Sequence, residues 1–256
     1  MINPFKVYKS YRRWRLLQRH ALPDTLWQST LARLPLLRRL NSAERQQLRT
    51  LTTLFLQQKQ MNGAGGLLLS TDMRLTIAAQ ACLLILNLDP DFYDGWEEVI
   101  IYPDQFVPEI EEIDVYGVVH RRREIRSGEA WVGGPVVLAW PDVQMATPGY
   151  NVVLHEFAHK LDMRNGHADG FPPLHPNMHR PDWSIAFTTA FEDFCRRVDR
   201  GEDTAIDPYA ATSPAEFFAV LSEVFFETPL LLQREYPEIY VQLRLFYRQD
   251  PAQRLS

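Results

Sequence analysis

The chain has 256 residues, 46% hydrophobic and 23% charged, with a net charge of -5. That is globular composition, with length for one large core or two small ones, and it excludes the strongly basic surface that direct nucleic-acid binding needs. The opening residues, Met1 to Ser10, hold no apolar run long enough for a signal peptide, and the longest apolar run, Ala81 to Leu86, is far too short to span a bilayer.

Residues 6–20 are basic and aromatic: Lys6, Tyr8, Lys9, Tyr11, Arg12, Arg13, Trp14 and Arg15. Such a segment can bind a partner or a membrane surface; the expectation here is a tail whose rings dock on the domain. Helical signals dominate from 22 to 87. Asn41-Ser-Ala-Glu44 is an N-cap with a glutamate three residues on, and it opens a helix carrying Leu48, Leu51, Leu54 and Phe55. Asn62-Gly-Ala-Gly-Gly66 breaks the chain. Ser70-Thr-Asp72 then caps a second helix with Leu75, Ile77, Ala78, Ala81, Cys82 and Ile85 on its apolar side. Cys82 and the only other cysteine, Cys195, both lie in apolar helical contexts and read as buried free thiols of a reducing compartment. A soluble cytoplasmic protein is expected.

From 88 the pattern changes. Residues 98–102, 115–120 and 135–140 are rich in β-branched and aromatic residues and read as strands. The acidic run Glu109 to Asp114 and the basic run His120 to Arg126 read as solvated loop and strand faces. Helices return after 148. Pro181-Asp-Trp183 opens one that runs to about Arg200, Ser213-Pro214 opens another, and Arg234 to Arg248 forms the last. There are no repeats and no low-complexity linkers. The fold expected is α+β, as a single domain over 1–256: a mainly helical part to residue 87, then a small mixed sheet with helices packed beneath it.

The stretch around which this is organised is Asn151 to Asp162, which contains His155-Glu156-Phe-Ala-His159. Residues four apart on a helix lie almost above one another, so both imidazoles point the same way and can share one ion. Glu156 is next round the helix, where its carboxylate flanks that ion without binding it. Two neutral nitrogens and a neighbouring base make a zinc site. Thr147-Pro148 offers an N-cap, Val152, Val153, Phe157, Ala158 and Leu161 a buried side, and Asn165-Gly166 a stop. Two histidines at this spacing can also be core or surface residues with no metal, so the rest of the ligand set matters.

A catalytic zinc takes three protein ligands and keeps one position open for water. The extended pattern with a third histidine six residues on is absent, since Asp162 stands at its glycine and Asn165 at its histidine. Four candidates follow the helix. Asp162 could bind, but it is better placed to orient an imidazole or cap a turn. His167 and His175 sit in a Gly/Pro-rich loop; they could line the cleft, although surface positions are expected. Glu216 is the best candidate. It could instead close a capping box with Ser213. Yet Glu216, Glu223 and Glu227 recur along a helix that is otherwise Phe217, Phe218, Val220, Leu221, Val224, Phe225 and Phe226. Carboxylates in so apolar a helix need partners, because an unpaired buried charge is costly.

Asn151 to Gly166 and Ser213 to Glu223 resemble the Mlc titration factor A family of bacterial cytoplasmic zinc peptidases, and the likeness extends to Gly134 to Trp140. The second helix is also similar to that of the anthrax lethal factor catalytic domain, which shares Tyr-(six residues)-Glu-Phe-Phe-Ala. The resemblance implies a zincin-like, gluzincin-type metallopeptidase fold, with His155 and His159 as histidine ligands, Glu216 as third ligand, Glu156 as general base and Tyr209 as a tyrosine assisting catalysis. It further implies one zinc ion, aminopeptidase activity on a peptide substrate, and binding of the glucose-regulon repressor Mlc. In the mechanism expected, Glu156 takes a proton from a zinc-activated water and delivers it to the leaving amine. The strand 135–140 offers either a free edge for the substrate or an ordinary core strand. The competing reading is a regulatory binding protein in which zinc is only a fold staple. Such a site is usually closed by a fourth Cys or His, and neither cysteine lies near the motif.

Overall fold

The computed structural model describes residues 4–106, 109–113, 119–123, 127–145 and 147–255. Helix α1 (Pro4–Arg19) is followed by α2 (Asp24–Arg33), the short α3 (Pro35–Arg38) and α4 (Ser42–Gln58). Strand β1 (Gln60–Gly63), α5 (Thr71–Leu84) and β2 (Glu98–Tyr102) come next. Strands β3 (Glu109–Ile113), β4 (Val119–Arg123), β5 (Gly128–Ala130) and β6 (Val136–Ala139) lead to the short α6 (Trp140–Gln144) and to α7 (Val152–Asp162). The chain ends with α8 (Arg180–Asp199), α9 (Pro214–Glu227), α10 (Pro229–Glu235) and α11 (Pro237–Tyr247). No helix among the described residues is long and apolar enough to cross a membrane.

The mixed sheet has strand order β1-β2-β6-β5. Its first two pairings are parallel, with Met61 opposite Val99 and Val99 opposite Val136. The last is antiparallel, with Gly128 opposite Leu138 and Ala130 opposite Val136. β2 alternates buried and half-buried residues, as a strand covered mainly on one face does, while all four residues of β6 are buried. Strands β3 and β4 form a separate antiparallel pair, Glu111 opposite Arg121.

One apolar cluster joins both halves of the chain, from Trp27 through Val99, Val136 and Phe157 to Phe217, Phe225 and Phe246. Within it α7 lies against α5, α9, β5 and β6. Phe157 pins the back of α7, its ring 5.7 Å from Phe55, 5.4 Å from Tyr93 and 5.7 Å from Trp96. Such edge-on ring contacts bury a large apolar surface in one orientation, which fixes the opposite face of α7 as the one that looks outward.

Several expectations hold and several are corrected. Asn41 and Glu44 form the reciprocal capping box, and Ser70 caps α5 by accepting from the Met73 amide. The N-terminal segment is a helix in which the rings of Tyr8, Tyr11 and Trp14 stay exposed and do not dock. Residues 60–63 are a strand and part of the sheet, although Gln-Met-Asn-Gly carries no β-branched residue. β6 has neighbours on both sides, so it offers no free edge; among the described residues the edge strands are β1 and β5. The expected last helix is divided, because Pro237 cannot continue the hydrogen bonding of α10 and opens α11 instead. Of the strand expected at 115–120, residues 115–118 lie outside the described residues, as do Asp114 and residues 124–126 of the charged runs. Cys82 is buried, but Cys195 is only half-buried; both are free.

Candidate metal centre

Two helices and one strand build the site. α7 begins one turn later than Thr147-Pro148 suggested: Asn151 is its N-cap, and the Asn151 Oδ1 accepts from the Leu154 amide at 3.1 Å. With Val153, Leu154, Phe157, Ala158 and Leu161 fully buried, the 3.6-residue repeat turns His155 and His159 towards a pocket of about 490 Å³. α9 supplies Glu216 from its first turn. The Glu216 amide donates to Ser213 Oγ at 3.2 Å, but its carboxylate does not return to close a capping box; it meets the two histidines.

The geometry is close. Glu216 Oε2 lies 3.0 Å from His155 Nε2 and 3.3 Å from His159 Nε2, and the two Nε2 atoms are 3.2 Å apart. Ligand atoms roughly 2.0–2.2 Å from a tetrahedral ion stand about 3.3–3.6 Å from one another. The three donors therefore stand at or slightly inside the separations that ligands of such an ion would take, and they are the group of three described residues whose ligand atoms could hold a metal ion. The donor chemistry agrees: two imidazole nitrogens and a carboxylate oxygen converging this tightly repel one another unless a proton or a cation lies between them.

Further hydrogen bonds fix the donors in place. Glu223, one buried turn pair further along α9, accepts from His155 Nδ1 at 2.8 Å, which leaves the Nε2 lone pair for an ion. Its other oxygen accepts the Asn151 amide. The Asn151 side-chain amide donates to Gln80 Oε1 at 2.7 Å and Glu227 Oε1 at 2.9 Å. The glutamates spaced along α9 are thus partnered, as their apolar setting requires, by His155, His159 and the cap of α7. Nothing in the spacing alone revealed this role for Asn151 and Gln80.

Charge follows the same logic. Burial works against a proton on His155, but hydrogen bonds to Glu216 and Glu223 raise its pKa well above the usual imidazole value. Burial likewise works against the Glu216 carboxylate, yet the hydrogen bonds from both histidines hold it far below the usual carboxylate range. Glu156 differs: burial pushes it up to about 7. It is 5% exposed and lies under β5, and a Cβ on Gly128 would come within 2.5 Å of its Oε1. Tyr209, half-exposed in the turn before α9, lines the same pocket with its ring centroid 6.2 Å from that of His155.

The other sequence candidates lie elsewhere. Asp162 Oδ2 accepts the amides of Asp169 and Gly170 at 2.9 and 2.8 Å, so it staples the loop after α7. Asp162 Oδ1 and His159 Nδ1, one turn apart, are both buried without a partner among the described residues. His167 is exposed. His175 is neither on the surface nor in the cleft: it is buried, bonded through Nε2 to the Phe246 carbonyl at 2.7 Å and stacked on that ring.

This cluster suits one class of protein, the metallopeptidases, and a family model described as glucose-regulated metallo-peptidase M90 matches residues 8–248. The chain belongs to that family. It is 42% identical over 248 residues to Mlc titration factor A of Serratia proteamaculans, covering 95% of this chain and 94% of that one. The same-named protein of Salmonella arizonae is 41% identical over 246 residues, covering 94% and 98%. That of Klebsiella pneumoniae is 40% identical over 246 residues, covering 94% and 92%. Family membership implies a metal, and His155, His159 and Glu216 are chemically suited to hold it.

Proposed function

We propose that the chain is a zinc-dependent peptidase of aminopeptidase type, a single domain in which His155, His159 and Glu216 hold the ion. The observation that carries this reading is the mutual spacing of 3.0–3.3 Å among their three donor atoms beside an open pocket. Bound zinc supplies Lewis acidity, lowering the pKa of water towards roughly 7 and polarising a carbonyl.

The remaining work falls to the chain. Glu156, with its pKa pushed up to about 7 by burial, is suited both to take a proton from the attacking water and to give it to the leaving amine. Glu223 holds His155 in the tautomer that presents Nε2. Tyr209 is the donor for the developing oxyanion. The free edge of β5 is the place where an extended peptide pairs with backbone N–H and C=O groups, in place of the 135–140 strand first considered. The aminopeptidase type rests on the family resemblance.

The test is hydrolysis of short aminoacyl-chromogenic substrates, with and without a chelator, alongside metal content. Glu156→Gln is expected to retain zinc and to lose activity by about a hundredfold or more. Unchanged turnover in that variant overturns the reading.

A binding role accompanies the catalytic one. The relatives carry the name Mlc titration factor A, and we infer that this chain also binds the repressor Mlc, tying it to glucose-uptake regulation. Retained Mlc binding by Glu156→Gln separates that role from catalysis. If zinc were a fold staple only, chelation would unfold the chain and no substrate would be turned over.

A further inference from the structure

Of the two imidazoles that meet at the proposed zinc site, only one has its rear nitrogen accounted for. His155 Nδ1 donates to Glu223 Oε1 at 2.8 Å, whereas His159 Nδ1 is buried and bonded to nothing among the described residues. One turn further along α7, Asp162 Oδ1 is buried and equally without a partner. Residues three apart on a helix share a face. Asp162 is wholly buried and His159 is 7% exposed, so neither orphaned atom meets bulk solvent. Burial pushes the Asp162 pKa up to about 6; the Gly170 amide and the His159 ring pull it back, which puts the ring within electrostatic reach of the carboxylate.

The other oxygen of the same carboxylate is fully used. Oδ2 accepts the Asp169 and Gly170 amides. Gly170 holds φ at +78°, and a Cβ there would come within 2.5 Å of the Pro214 carbonyl oxygen. Its own carbonyl accepts from Trp183 Nε1 at 3.2 Å. The loop that Asp162 grips is therefore seated against the first residue of α9, two residues before Glu216. Holding that loop needs only one oxygen. The second oxygen of a buried carboxylate is costly unless a donor faces it, and the His159 Nδ1–H is the unpartnered donor one turn away.

We propose that Asp162 is a positioning residue of the metal centre: Oδ1 accepts the His159 Nδ1–H when the ring gives Nε2 to the ion, while Oδ2 holds the loop that seats the start of α9. The proposal rests on the zinc reading above. With Nε2 on an ion the ring's proton sits on Nδ1, and a carboxylate there fixes the tautomer and the ring plane and makes Nε2 the stronger donor. Glu223 does this for His155 and Asp162 for His159, one carboxylate behind each ring. Asp162 alone also ties its imidazole to the backbone beside Glu216.

The experiment compares the full chain with Asp162→Asn, which matches the carboxylate in shape but offers a single acceptor oxygen. The two backbone amides hold that oxygen, so the variant keeps the loop and turns its own amide donors towards His159. Zinc affinity is read by competition with a chromogenic chelator, and the ring protons by proton–nitrogen correlation spectra of the zinc-loaded protein. The variant is expected to bind zinc about 10–100-fold more weakly, while its metal-free form melts close to the wild type. The wild type is expected to show a downfield, slowly exchanging His159 Nδ1 proton that the variant lacks. Equal affinity with that proton unmoved overturns the proposal and leaves Asp162 a loop staple, with the zinc centre standing. Weaker zinc binding with the proton unmoved assigns the effect to the loop and overturns it as well. Should the variant not fold, the wild type decides: a His159 Nδ1 proton in fast exchange with water overturns the assignment. If the wild type itself retains no zinc, the peptidase reading falls and this inference falls with it.

Discussion

Gly128 has no side chain, and the Glu156 carboxylate fills the space one would take. A Cβ built at Gly128 lies 2.5 Å from Glu156 Oε1 and 2.6 Å from its Cγ, closer than a Cβ is found to other atoms. Any larger residue must displace either the carboxylate or the strand over it. Gly128→Ala is therefore expected to lower kcat by roughly a hundredfold, the cost of about 1 Å of misplacement at a reacting group. Metal content should not change, because the three ligand atoms lie on α7 and α9. Full turnover in that variant would mean that Glu156 tolerates movement and is not the proton carrier. This dependence leaves no trace in local sequence: Gly-Glu-Ala carries neither a strand nor a site signature, and only the tertiary fold brings it over α7. His155 and His159 were legible because their relation is internal to one helix. Glu216 was legible in part, since an apolar helix with regularly spaced carboxylates needs partners that the sequence already offered. His175 was misplaced because a histidine in a Gly/Pro-rich loop carries no sign of the Phe246 carbonyl that receives it in the core.

At the level of elements, the position of β5 depends on a lysine one residue beyond His159. Lys160 is 3% exposed, and its ammonium donates to the carbonyls of Trp131 at 2.7 Å and Gly134 at 2.9 Å, the two ends of the β5–β6 turn. The Trp96 ring lies 4.8 Å from the same nitrogen. Burial lowers the Lys160 pKa to about 8, so burying the charge opposes folding. Two charge-assisted hydrogen bonds and an aromatic face offset part of that cost. Lys160→Met keeps the aliphatic stem and removes the anchor. Chemical denaturation should show a loss of about 1–3 kcal/mol, the penalty for leaving such carbonyls without a donor. An unchanged or higher stability would show that the buried charge had been the larger effect. The hairpin shows why elements were unevenly legible. The β-branched and aromatic stretch of β6 was readable from the sequence, but which neighbours flank it is decided by β1, whose Gln-Met-Asn-Gly has no strand signature. An internal strand was therefore open to being taken for a free edge. Helices with side-chain caps, α4 and α5, were placed correctly because a cap is a local hydrogen bond that sequence spacing specifies.

Across the whole molecule, the donor cluster joins α7 to α9, two elements also linked by the bonds of Glu223 and Glu227 to Asn151 and by the shared apolar core. An ion bound there binds the folded chain and not the unfolded one, so metal affinity becomes stability. At about a hundredfold excess over its dissociation constant the ion contributes about 2.7 kcal/mol. For a chain of this size that corresponds to a melting temperature higher by roughly 5–11 °C. The pH dependence has a definite sign. In the metal-free protein the His155 pKa is raised, so its hydrogen bonds to Glu216 and Glu223 stabilise the fold below the unfolded imidazole value. That contribution is lost as pH rises through the raised value. The ion requires the deprotonated ring, so its contribution moves the other way and grows as that proton leaves. The difference in melting temperature between zinc-loaded and chelator-treated protein should therefore widen from about pH 6 to about pH 8. Scanning calorimetry of both forms at the two pH values measures it directly. A gap that is constant or narrows with pH would show that no imidazole proton is displaced when the metal binds, which the placement of His155 between two carboxylates does not allow.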